Sequence, residues 1–97
     1  MSYVFEYILK LNLYLDRERK AVLISLNNRI RHEYGIQGFK KINSSSCGGD
    51  KAGNVLYWGA FNRINSFDME KLINKALLNN TSGFLTGDFN LMLIEVG

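Results

Sequence analysis

Residues 3–15 alternate between two sets of side chains along almost the whole segment. Every odd position, from Tyr3 to Leu15, is large and apolar, whereas the even positions mix apolar residues with Glu6, Lys10 and Asn12. Successive side chains of a strand point to opposite faces of a sheet. The period of two therefore predicts a long strand with one apolar face and one face of mixed polarity. A second layer must cover the apolar face.

Length and composition limit the class of protein. A chain of 97 residues with 46% apolar and 22% charged residues is expected to form one globular domain, 1–97, with a single core. No segment reaches the length of a membrane span or has the pattern of a signal peptide. Cys47 is the only cysteine, so the fold is not expected to depend on a disulfide. These features predict a cytoplasmic protein without a membrane partner.

A first helix is expected to follow the opening strand. Asp16 is a favourable N-cap, and Gly35 follows at a position that favours positive φ. Between them, the apolar spacing predicts one helical face, formed by Leu23, Leu26, Ile30 and Tyr34 and widened by Val22. Residues 36–43 then predict a short, weaker strand, and 44–53 have the composition of a flexible connector.

The second half of the chain predicts a strand, a helix and a closing strand. Residues 54–64 are apolar on both faces, as expected of a central strand. Asn65 or Ser66 caps the next helix, whose apolar face comprises Met69, Leu72, Ile73, Ala76 and Leu77. Residues 89–96 form the last strand, and 82–86 are compatible with an additional short strand that turns at Gly87–Asp88.

The resulting order is β-α-β-β-α-β, with or without the extra strand. This order resembles the ferredoxin-like superfold, an α+β two-layer sandwich. The superfold hosts enzymes, RNA binders and inhibitors, so the resemblance implies an architecture and not an activity.

The residues that usually carry catalysis or metal binding do not form a recognisable set. His32 is the only histidine, and its spacing from Cys47 does not predict a catalytic pair. The glycine-rich segment 47–53 matches neither phosphate-binding pattern and leads into a strand. We therefore expect no enzyme, no cofactor and no metal.

The outer face of the first helix is one candidate binding surface. Basic and amide side chains surround Ile24 on the helical wheel, namely Arg17, Lys20, Asn27, Asn28 and Arg31. An exposed apolar residue within a polar rim is typical of an interface anchor. The alternative is an ordinary solvated helix face.

The sheet face away from the helices is the other candidate. Lys10 and Tyr14 are expected there from the first strand. On the central strand we take Leu56, Trp58, Ala60 and Ile64 as inward, which assigns three residues to the open face, namely Tyr57, Phe61 and Arg63. Aromatic rings interleaved with basic residues suit either single-stranded nucleic acid or a protein surface, including a second copy in a homodimer.

These patterns favour a small non-catalytic protein-binding module. The specific hypothesis is an inhibitor, such as a toxin-neutralising immunity-type protein, that occludes the active site of its partner. The alternative is a single-stranded RNA- or DNA-binding module. Residues 1–41 hold eight Lys or Arg and four Asp or Glu, and the rest of the chain has a net charge of −1. This modest basic bias permits an acidic target but does not require one.

Overall fold

The sheet and its two helices follow the predicted element order. The computed structural model describes residues 4–13, 15–42, 55–81 and 89–94. In chain order the elements are β1 (Phe5–Leu11), α1 (Asp16–Tyr34), β2 (Lys40–Ile42), β3 (Leu56–Phe61), α2 (Ser66–Asn80) and β4 (Phe89–Ile94). The predicted connector at 44–53, the extra strand at 82–86 and Cys47 lie outside the described residues.

The strand order confirms the α+β prediction. The four strands are arranged β2-β3-β1-β4, and each neighbouring pair is antiparallel. Each helix therefore links two strands that flank a third, with β3 lying between β1 and β2 and β1 lying between β3 and β4. This is the order of the ferredoxin-like superfold. None of the described helices is long and apolar enough to cross a membrane.

The odd positions of the opening strand form the centre of the core, as predicted. Tyr7, Leu9 and Leu11 are fully buried, and Leu13 continues the series beyond β1. Both helices cover this sheet face with their apolar sides, through Val22, Leu26 and Ile30 of α1 and Met69, Leu72, Ile73, Ala76 and Leu77 of α2. Burial of this face is the main stabilising contribution to the fold.

The boundaries of the helices follow local chemistry. Asn65 caps α2, since its Oδ1 accepts a hydrogen bond from the Asp68 N–H at 2.9 Å. Gly35 ends α1 with φ +66, as predicted for this position. The N-cap of α1 is Leu15 and not Asp16. Asp16 instead occupies the first helical position, where the helix dipole favours a carboxylate.

The predicted strands are longer than the observed ones. Within the described residues of these two predicted segments, Lys40–Ile42 are the strand residues of 36–43 and Leu56–Phe61 are those of 54–64. Phe39, immediately before β2, is nonetheless buried, and its backbone is held by the side chain of Asn27. Side-chain hydrogen bonding to the main chain replaces strand pairing in that segment.

Arg19 is buried although its charge would place it outside. It is 4% exposed, and its guanidinium donates to the Leu13 carbonyl at 2.7 Å and to the Asp16 carboxylate at 3.1 Å. It also lies beside Tyr57, whose pKa is raised by burial. A buried arginine of this kind needs carbonyl and carboxylate acceptors, and here they fix the connection from β1 to α1.

Candidate functional site

The two faces of the central strand β3 are the reverse of those predicted: the residues expected on the open face lie in the core. Tyr57 and Phe61 are 4% and 0% exposed and belong to the core beneath the helices. Their assignment to the open sheet face is therefore wrong, and so is the inward assignment of Leu56, Trp58 and Ala60. Ile64, which follows the bend after β3, is buried as predicted.

Packing around Gly59 explains the inward face of β3. The ring of Phe61 lies over Gly59, where an added Cβ would come within 2.5 Å of the ring. The Phe39 ring packs against Phe61 at a centroid distance of 5.0 Å. Val55, Tyr57, Gly59 and Phe61 thus share the core side. Because the alternate set is also apolar, periodicity alone does not distinguish the two registers.

The corrected register defines the residues of the open sheet face. Directly paired residues of antiparallel strands lie on the same face. One row across the sheet contains Lys40, Trp58, Ile8 and Met92. Its neighbouring rows are Ile42, Leu56, Lys10 and Asn90 on one side and Ala60, Glu6 and Ile94 on the other.

An apolar row crosses the middle of this open sheet face, and the rows beside it mix apolar side chains with charged and polar ones. The row Trp58–Ile8–Met92 crosses three strands, and Met92 is 63% exposed. Lys40 stands at one end of the row, while Glu6 and Lys10 flank Ile8 along β1. Since both helices pack on the opposite side, no described element covers this surface.

A hydrogen bond orients the only tryptophan. The indole Nε1 of Trp58 donates to a carboxylate oxygen of Glu6 at 2.8 Å. The bond links β3 to β1 and satisfies the polar edge of the ring. It leaves the apolar body of the half-buried indole beside Ile8.

The other sheet residues of the prediction have different outcomes. Lys10 lies on the open sheet face as expected, since it pairs with Leu56 and Asn90. Arg63 is exposed, but it lies in the bend after β3 and outside the strand. Tyr14 lies outside the described residues.

The predicted outer face of α1 is exposed. Arg17, Lys20, Asn28 and Arg31 all reach solvent, and Ile24 is 59% exposed. Lys20 pairs with Asp16 at 3.2 Å, and this hydrogen-bonded partner lowers the pKa of the Asp16 carboxyl. The pair reduces the positive charge that α1 offers to an acidic ligand.

Asn27 does not belong to this outer face. Its side-chain nitrogen donates to the Phe39 carbonyl at 3.0 Å, and its Oδ1 accepts from the Phe39 N–H at 2.8 Å. The Asn27 amide therefore links α1 to the segment before β2 through two hydrogen bonds. Its expected place among the surface residues is wrong, because the Phe39 backbone supplies both partners.

An open groove of about 600 Å³ lies beside Ile24. Its lining comprises Ala21, Ile24, Ser25, Asn28, Arg29, His32 and Asn80. Arg29 also pairs with Glu33 at 3.6 Å. The groove combines two apolar side chains, Ala21 and Ile24, with several polar ones, whereas the open sheet face has an apolar row that crosses three strands.

Metal-ligating side chains do not converge within the described parts of the chain. No group of three His, Cys, Asp or Glu residues there could hold a metal ion. His32 occupies the exposed last turn of α1.

No protein-family model matches this chain, and neither the curated proteins nor the solved structures contain a match.

Proposed function

We propose that this protein is a non-catalytic protein-binding module that uses its open sheet face. The observation that carries the proposal is the row Trp58–Ile8–Met92, which is apolar, continuous across three strands and uncovered by either helix. Contiguous apolar surface rimmed by polar residues is characteristic of an interaction site. A protein target matches such a surface because it supplies apolar side chains for the middle and polar groups for the border.

Trp58 has the properties of an interface anchor. Tryptophan is enriched among the residues that contribute most to binding free energy. The hydrogen bond to Glu6 restrains the indole before binding, so less conformational entropy is lost when a partner docks. Met92, on the neighbouring side of Ile8, supplies an adaptable apolar contact.

The helix surface supports binding less strongly than the sheet surface. Ile24 is an isolated exposed residue on α1, and single exposed apolar side chains are common. On α2 the exposed Phe67 ring is covered by the Lys71 ammonium, 4.3 Å from the ring centroid. The helices and the open sheet face form opposite sides of a two-layer fold, so one flat target surface contacts one or the other.

Inhibition by occlusion is the specific form that we propose. Among the described residues of the open sheet face, Lys10 and Lys40 outnumber Glu6, so the charge beside the apolar row is positive on balance. This charge suits a target whose active-site entrance is acidic, including one that holds a divalent cation through carboxylates. The flat, apolar centre would exclude water and substrate from that entrance.

Single-stranded nucleic acid is less well matched by the corrected surface. Tyr57 and Phe61, two of the rings expected to stack on bases, are buried. Trp58 remains as the only aromatic side chain from the described strands on the open sheet face. Base-stacking platforms use successive aromatic residues, so one ring with two lysines gives weaker support.

Site-specific photo-crosslinking tests the proposed surface. A photoreactive residue replaces Met92 on the open sheet face or, as the matched control, Leu78 on the outside of α2, which is 61% exposed. We expect a discrete crosslink to one protein from Met92 and none from Leu78. The purified target should bind the unmodified chain, lose activity at a stoichiometric ratio, and bind the Trp58→Ala variant at least about tenfold more weakly.

Two results would contradict the proposed function. One is an equal crosslink from both positions, since a specific surface would not produce it. The other is binding to a single-stranded oligonucleotide that depends steeply on salt concentration and is abolished by Trp58→Ala. That result would assign the same surface to nucleic acid.

A further inference from the structure

Two methionines of the described chain lie in opposite environments. Met69 of α2 is fully buried in the core, whereas Met92 of β4 is 63% exposed. An oxidant must reach the thioether sulfur before it can convert methionine to the sulfoxide. The Met92 side chain is therefore accessible to oxidation, and the Met69 side chain is shielded. The third methionine, Met1, lies outside the described residues.

The position of Met92 connects its oxidation with the open sheet face. Met92 pairs with Ile8 of β1, and Ile8 pairs on its other side with Trp58 of β3. Met92 thus completes the apolar row on which the proposed function rests. Its neighbours on the same face of β4, Asn90 and Ile94, are uncharged. A change in the oxidation state of the Met92 sulfur therefore changes the polarity at this end of the row.

Oxidation by a peroxide converts the side chain of Met92 from apolar to polar. The sulfur attacks one oxygen of hydrogen peroxide, the O–O bond breaks and an S–O bond forms. The sulfur gives up two electrons, while the leaving oxygen takes up the proton of the transferred one and departs as water. The product, methionine sulfoxide, is polar and chiral. Burial of such a polar oxygen without a hydrogen-bond donor opposes association.

We propose that Met92 is an oxidation site that regulates the open sheet face: the thioether form binds the protein target, and the sulfoxide form binds it more weakly. This proposal rests on the proposed function, because it concerns the same surface. The thioether supplies an adaptable, polarisable contact beside Ile8. The sulfoxide places an oxygen against the apolar surface of the target. Enzymatic reduction of the sulfoxide regenerates the thioether, so the change is reversible.

The first measurement locates the oxidation without any target. The chain is treated with limiting hydrogen peroxide, and each methionine is quantified by peptide mass spectrometry. A Cys47→Ser background removes the only thiol, which also reacts with peroxide. We expect Met92 to be oxidised at least about tenfold faster than the buried Met69. Equal rates at the two positions would overturn the proposal.

The second measurement compares target binding before and after oxidation. The target is the protein that crosslinking identifies, and peroxide is removed before it is added. Oxidation should raise the dissociation constant at least about fivefold, and a methionine sulfoxide reductase should restore it. Met92→Leu retains the other two methionines, so the same treatment should change its dissociation constant by less than about twofold. An equal loss of binding in Met92→Leu would overturn the proposal, because oxidation elsewhere would then cause it.

A stability control separates a change of the surface from unfolding. Because Met92 is exposed, the oxidised chain should keep the urea midpoint of the untreated chain. Partial unfolding of the oxidised chain would overturn the proposal. Undiminished binding by the Met92 sulfoxide form would also overturn it and would leave the proposed function intact. Absence of any target would instead be a failure of the proposed function, and the regulation by Met92 would fall with it.

Discussion

Trp58 and Glu6 are joined across strands β3 and β1 by a hydrogen bond of 2.8 Å from the indole Nε1 to the carboxylate. The bond lies on the open sheet face, where Ile8 is the direct cross-strand partner of Trp58. A half-buried indole that is tied at its polar edge keeps one orientation. The candidate binding surface is therefore organised before any partner arrives.

Loss of the Glu6 carboxylate should be visible in the fluorescence of Trp58. Glu6→Ala removes the acceptor of the indole N–H, so water replaces it and the ring gains mobility. We expect emission at longer wavelength and stronger quenching by acrylamide. Trp58 is the only tryptophan, which makes the signal specific. Lys10→Ala, on the same face of β1, is the control and should leave the spectrum nearly unchanged. An unaltered spectrum in Glu6→Ala would contradict the contact.

The two hydrogen bonds between Asn27 and Phe39 should contribute strongly to stability. Asn27→Ala removes the acceptor of the Phe39 N–H, which lies at 2.8 Å, and the donor to the Phe39 carbonyl, which lies at 3.0 Å. It also loosens the packing of the Phe39 ring against Phe61. The free energy of unfolding should fall by about 2–4 kcal/mol in a urea titration. Asn28→Ala, at the adjacent exposed position, should change it by less than about 0.5 kcal/mol. Equal losses in the free energy of unfolding for the two substitutions would contradict a stabilising role of the Asn27–Phe39 hydrogen bonds.

Arg19 should be essential to the β1–α1 connection. Arg19→Ala removes the donor to the Leu13 carbonyl and the partner of Asp16, and it leaves a cavity in the core. We expect a loss of about 2–4 kcal/mol in the free energy of unfolding, because the Leu13 carbonyl loses its donor and the packing around Arg19 is lost, whereas the exposed Asp16 keeps Lys20. Arg17→Ala removes the same type of side chain from the exposed face of α1 and should be nearly neutral. Comparable denaturation midpoints for Arg19→Ala and Arg17→Ala would contradict a stabilising role of the buried Arg19 side chain.

Tyr7 should make the fold sensitive to alkaline pH. Burial, assisted by the negative charges of Asp68 and Glu70, raises the pKa of Tyr7 from 10.0 to about 12. Since the folded pKa lies above the unfolded value, the stabilising contribution is complete below pH 10 and is lost as pH rises through 12. The contribution is on the order of 2–3 kcal/mol.

Tyr7→Phe provides the comparison. The variant loses the hydrogen bond from the Tyr7 hydroxyl to the Ile64 carbonyl at 2.8 Å, so it should be less stable than the original chain at neutral pH. The difference in the free energy of unfolding should narrow between pH 10 and 12, as measured by denaturant titrations. Tyr34→Phe retains Tyr7 and should follow the original chain more closely. A constant difference for Tyr7→Phe across this range would contradict the linkage.

Sequence periodicity predicted the elements whose two faces differ in polarity. The odd residues of β1 and the apolar face of α2 entered the core because their alternate faces carry polar side chains. On β3 both faces are apolar, so the choice between Tyr57 and Trp58 depends on tertiary packing. Gly59 beneath the Phe61 ring and the pairing of Trp58 with Ile8 determine that choice. The open sheet face was therefore predicted, but its aromatic residue was not.

The structural roles of Arg19 and Asn27 differ in how far the sequence could indicate them. Arg19 continues the helical stripe of Val22, Leu26 and Ile30, and this position is a signal of burial that its charge obscures. Asn27 bonds to main-chain atoms 12 residues away, which helical spacing does not reveal. The structure also shows why position 38 is a glycine, because a Cβ there would collide with the Asn27 side chain.

The proposed binding surface is tested most directly by hydroxyl-radical footprinting. The sample is the non-covalent complex of the unmodified chain with the target that crosslinking identifies. Methionine and tryptophan are readily oxidised, and both lie on the open sheet face as Met92 and Trp58. We expect oxidation of both to fall several-fold on binding, while Phe67 and Leu78 on α2 keep their rates. Unchanged oxidation of Met92 and Trp58, with protection confined to the helix side, would contradict binding through the sheet.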